Sequence, residues 1–127
     1  MKERTYDLDE RLIDFASLII LITNSLPKHG AGSYLSGQML RSGMAPALIY
    51  GEAHAAESPG DFIHKIRLVL KELRETYNSL RIIKKQPWTS VEIDEGIKEV
   101  NQLIAIFVKS IKTAEENQIK KNNKPSQ

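Results

Sequence analysis

The stretch from 58 to 80, SPGDFIHKIRLVLKELRETYNSL, decides the fold class. It opens on Ser58, Pro59 and Asp61. A hydroxyl can cap the free N–H groups, proline suits the first helical position, and the acid can reach back as in a capping box. Phe62, Ile66, Val69, Leu73, Tyr77 and Leu80 then follow at spacings of 4, 3, 4, 4 and 3. That pattern is one apolar face of a helix, and no period-two alternation competes with it.

The same period appears on both sides of this stretch. Upstream, Leu8, Leu12, Phe15, Ile19, Ile22 and Leu26 form a first face. Pro27 ends it, because proline disfavours helical geometry at the residue before it. Residues 28–32 read as a polar, glycine-containing loop. Leu35, Met39, Ser42, Pro46, Ile49, Ala53 and Ala56 form a second face, rich in Gly, Ala and Ser. Pro46 removes a backbone donor inside it, and a kink is expected because the apolar spacing continues beyond. Downstream, Lys85 to Trp88 break the third helix. Thr89 to Glu92 read as a second capping box, and Ile93, Ile97, Val100, Ile104, Phe107 and Ile111 form a fourth face. Four amphipathic helices with short connections predict an all-α, up-down-up-down antiparallel four-helix bundle, with helix two kinked near Pro46. The bundle is expected over residues 1–119, with 120–127 a disordered polar tail.

Composition narrows the class further. A chain of 127 residues fits one domain. It has no Cys, so disulfides, zinc-thiolate sites and thiol chemistry are excluded. Apolar runs such as Leu18 to Ile22 are far short of the ~20 residues a membrane span needs. No secretion signal is visible at the N-terminus, so a cytoplasmic protein is expected, with no membrane contact.

Leu18, Ile19, Ile20, Leu21 and Ile22 exceed what one helix face buries, and are expected to form an oligomer interface. Ile63, Leu70 and Tyr77 on the third helix, and Leu103 and Ile106 on the fourth, add further apolar surface. Charge is uneven although the net is only +2. Residues 1–57 carry five basic and seven acidic residues, residues 58–88 seven basic and three acidic, and residues 89–127 six of each. Arg67, Lys71, Arg74, Arg81 and Lys85 line one side of the third helix, a candidate surface for a phosphate backbone. Glu72 and Glu75 dilute that field.

The block from Gln38 to Gly43, then Glu52, Ser58, Asp61 to Ile66, Leu70 to Glu72, and Glu75-Thr76 resembles the four-helix bundle protein family, also called the ribosomal RNA intervening-sequence protein family. The resemblance runs over roughly residues 7–113 and rests on the order and spacing of the motifs together. It implies a homopentamer of up-and-down bundles, in most members without assigned activity. A related branch, the accessory protein of diversity-generating retroelements, implies binding to nucleic acid and to a reverse transcriptase. After Arg41-Ser42-Gly43 this chain departs from the family. Ile49 stands where an Asn is common, so any role of that Asn does not carry over.

Catalytic constellations are weak. A bundle di-iron site needs two Glu-x-x-His motifs and two further Glu. The nearest matches, Asp61-x-x-His64 and His54-x-x-Glu57, both lie near one loop. No nucleophile elbow, phosphate loop or dinucleotide fingerprint occurs. The chain is therefore expected to be no enzyme and to hold no metal or cofactor. Arg41 and Glu52 lie 11 positions apart, about three helical turns, and so share one side of helix two. They are expected to make structural ion pairs with other helices or subunits, the alternative being a ligand contact. The expected function is a non-enzymatic oligomeric bundle binding RNA or DNA through the basic side of helix three. The competing expectation is a scaffold or adaptor that never touches nucleic acid.

Overall fold

The computed structural model describes residues 7–88 and 90–123. Within them lie four α-helices: α1 (Leu8–Asn24), α2 (Gly30–Ala53), α3 (Pro59–Lys84) and α4 (Val91–Asn122). Each helix packs on the next, α4 closes back on α1, and the backbones of the diagonal pairs stay apart. That is an antiparallel four-helix bundle. The α1–α4 contact is the least extensive.

The core follows the predicted apolar faces. Leu12, Phe15, Ile19 and Ile22 meet Met39, Ile66, Val69, Leu73, Leu80, Ile93, Val100 and Phe107, all essentially without solvent exposure. Burying side chains of this size stabilises the fold by about 1.5–3 kcal/mol each before the entropic cost of ordering them. Ile63 and Leu103 are also buried, so part of the surplus apolar surface of α3 and α4 belongs to the core.

The helix starts show which cap signals operate. Ser58 Oγ accepts from the Asp61 N–H at 3.0 Å, with Pro59 at the first helical position. The Asp61 carboxylate reaches back to the Glu57 N–H rather than to that of Ser58. Asp7, not singled out from the sequence, caps α1 by accepting from the Asp9 N–H. At α4 the expectation is corrected. Thr89 lies outside the described residues, and Ser90 holds the cap position without a side-chain cap bond. Helix α2 begins at Gly30, inside the expected loop, and Gly30 has φ of +59°, a left-handed conformation that favours glycine.

Helix α2 runs unbroken through Pro46, which is buried, so the proline does not divide it. Gly43 lies against Ile19 of α1: a Cβ there would stand 2.8 Å from an Ile19 methyl group. Between α2 and α3, the Thr76 and Ser42 hydroxyls share a fully buried hydrogen bond of 2.8 Å. Helix α4 extends through Asn122, so Lys120–Asn122 of the expected tail are helical, and residues 124–127 lie outside the described residues.

Candidate nucleic-acid interface

Helix α3 sits between α2 and α4 and turns its fourth side outward. Arg67, Lys71, Arg74, Arg81 and Lys85 are all exposed on that side. Their spacings keep them in one stripe about 27 Å long, with exposed Asn78 filling the gap. Arg81, Lys85, Asn78 and Ile82 line a hollow of about 410 Å³ on the stripe.

The five cations are not equivalent. Arg67 pairs with Glu115 of α4, so its charge is partly spent within the bundle. The Arg81 guanidinium lies 5.3 Å from the centre of the Tyr77 ring, a stacking contact that leaves its charge in place. Among the described residues, Lys71, Arg74 and Lys85 form no ion pair. Glu72 and Glu75, the two acids that dilute the stripe in the sequence, are both drawn to Arg41 of α2. Arg41 donates to Glu72 at 2.9 Å and also holds Glu75.

Arg41 and Glu52 therefore each face α3 and not one another. Glu52 stands 3.6 Å from Lys65. The two contacts tie α2 to α3 at points three turns apart. All the groups are at least partly exposed, Glu72 the least, so their contribution is modest and fixes register more than it adds stability.

The expected interface residues of α1 divide. Ile19 and Ile22 are fully buried inside the bundle, so these two are interior positions of a single chain, and Leu18 is half-buried against the core. The helix must fill the gap opposite Gly43 and Gly96, and Ile19 and Ile22 do so. Ile20 and Leu21 remain exposed, joined by Ile13 about two turns earlier.

Two further features were not visible in the sequence. Arg11 of α1 makes a forked contact to Glu99, at 2.7 and 3.0 Å, and reaches Gln102 of α4. His54 lies 3.2 Å from Asp9 and edge-on to Tyr50, whose ring also meets Phe107 edge-on. Burial, then the charges of Asp9 and Asp7, push the Tyr50 hydroxyl above its ordinary pKa. Partners 45 to 91 positions apart leave no periodic trace, which is why spacing did not find them. Among the described residues, no group of three or more metal-ligating side chains is close enough to hold an ion. None of their helices is long and apolar enough to cross a membrane.

The fold has a solved counterpart. A Bacteroides thetaiotaomicron protein of unknown function from the S23 ribosomal protein family superposes with a TM-score of 0.76 at 24% identity, covering 84% of this chain and 99% of its own. At that identity the likeness concerns the fold. No protein-family model matches the chain, and no curated protein does either.

Proposed function

We propose that this bundle is a non-enzymatic binder of RNA or DNA, assembled from several copies and holding the phosphate backbone on the outward side of α3. The observation that carries the reading is the engagement of Glu72 and Glu75 by Arg41. With both acids drawn toward α2, where Arg41 offsets one of their two charges, Lys71, Arg74, Arg81 and Lys85 form the cationic stripe on the outward side. Contacts of this kind go to phosphates and position the ligand without reading bases. The resemblance to intervening-sequence and retroelement proteins agrees with such a role, as does the five-copy assembly it implies.

The test is anisotropy with random RNA and DNA between about 50 and 200 mM salt, where each neutralised duplex phosphate contributes a log–log slope of about −0.9. Lys71→Glu with Arg74→Glu and Lys85→Glu should abolish binding to all sequences alike while the circular dichroism spectrum persists. Unchanged binding by that variant overturns the α3 assignment. The scaffold or adaptor reading is favoured by a different feature, the exposed apolar residues Ile13, Ile20 and Leu21 of α1 and Leu48 of α2. It predicts no binding to either nucleic acid even at the lowest salt.

A further inference from the structure

Phosphate contacts do not account for the hollow at the C-terminal end of α3. It is lined by Arg81 and Lys85, which suit an anion, and also by Asn78 and Ile82, which carry no charge. Ile82 is 50% exposed, an aliphatic side chain held in water among cations. A bare anion gains nothing from it. A ligand with an apolar surface beside its charge does, because covering Ile82 removes that surface from water. The hollow, at about 410 Å³, is in the range of small-molecule sites, about 300–1,000 Å³.

Arg81 and Tyr77 narrow the chemistry. They lie one turn apart on α3, and the guanidinium stands 5.3 Å from the ring centre. Tyr77 is half-buried against the core, so its ring is a fixed support for the guanidinium. A guanidinium is planar and weakly hydrated, and it stacks on flat π-systems. Asn78 is exposed, and among the described residues none engages its amide, which offers both donors and an acceptor. A planar cation, an aliphatic surface and an unengaged amide together suit a flat heteroaromatic ring with polar edges. In a duplex the faces of such rings are stacked on one another, and only their edges reach the grooves. An unpaired base offers both face and edge.

We propose that the hollow receives one unstacked nucleobase of a single-stranded nucleic acid. The base stacks on the Arg81 guanidinium, covers Ile82 and meets the Asn78 amide along its edge, while Lys85 holds an adjoining phosphate. Arg74 and Lys71, about 10 and 15 Å back along α3 from Arg81, take phosphates further along the same strand. The inference rests on the phosphate contact proposed above and adds the class of ligand, a single strand in preference to a duplex. The two contributions separate physically. Phosphate contacts set the salt slope, whereas stacking on a base adds affinity and neutralises no phosphate.

The test compares oligo-dT, oligo-rU, an abasic DNA strand of the same length and a duplex, by anisotropy over the salt range given above. The abasic strand keeps every phosphate and has no base. The full-length chain should bind the better of oligo-dT and oligo-rU about tenfold tighter than the abasic strand, at the same salt slope. Which of the two binds better names the sugar of the ligand. Arg81→Lys keeps the charge and removes the plane, and Ile82→Ser removes the aliphatic surface. Each should reduce that tenfold difference several-fold and leave the salt slope, the duplex affinity and the circular dichroism spectrum unchanged. Equal binding of abasic and base-bearing strands overturns the base site and leaves the phosphate contact standing. So does an Arg81→Lys chain that keeps the parent's preference, or one that weakens on every ligand alike. Absence of binding to all four at the lowest salt overturns the phosphate contact as well.

Discussion

The guanidinium of Arg41, on α2, donates to Glu72 Oε1 of α3 at 2.9 Å and holds Glu75 one turn further along. An α2 residue thereby sets the electrostatics of an α3 surface. Arg41→Ala should leave two carboxylates unopposed beside Lys71 and Arg74. Exposed pairs of this kind contribute about 0–1 kcal/mol, so the melting temperature should barely move. Nucleic-acid affinity should nevertheless fall. Affinity equal to the parent's would show that Glu72 and Glu75 do not act on the stripe.

Ser58 caps α3 through its bond to the Asp61 N–H. Ser58→Ala should cost about 1 kcal/mol, and Ser58→Gly a few tenths. Urea denaturation of the two variants checks this, and equal losses would point to a backbone effect rather than a lost acceptor.

Two glycines of α2 should respond in opposite directions. Gly43→Ala drives a methyl into Ile19 and should destabilise the bundle by about 1–3 kcal/mol. Gly37→Ala meets open space and should stabilise the isolated chain by about 0.5–1 kcal/mol through helix propensity. Chemical denaturation of both, at concentrations where the chain is monomeric, decides the signs.

Tyr50 supplies an alkaline dependence. Its hydroxyl is pushed up by burial first and then by Asp9 and Asp7, so the fold favours the neutral phenol. That contribution is fully present below the ordinary tyrosine value of about 10 and is lost as pH rises through the raised value. The urea midpoint should fall more steeply above about pH 10 in the parent than in Tyr50→Phe. Parallel curves would remove Tyr50 as the source.

The order of the four helices, most of their buried residues and the cap of α3 follow from the sequence by itself. A 3.6-residue period with Leu, Ile and Phe on one face has one way to leave water. Ser58-Pro59-x-Asp61 signals a helix start through bonds between near neighbours. The cationic stripe was legible for the same reason, since residues three and four apart on one helix share a side whatever surrounds it. Tertiary structure decided what spacing cannot encode. The run Leu18 to Ile22 reads as a single block, yet packing opposite Gly43 and Gly96 draws Ile19 and Ile22 inside and leaves Ile20 and Leu21 out. Arg41 and Glu52 share a side of α2, but only the neighbouring helix determined that Glu72, Glu75 and Lys65 are their partners. The fork from Arg11 to Glu99 joins residues 88 apart. A helix's own period is local, whereas the identity of its neighbour depends on how side chains of particular size and charge fit once several helices are brought together.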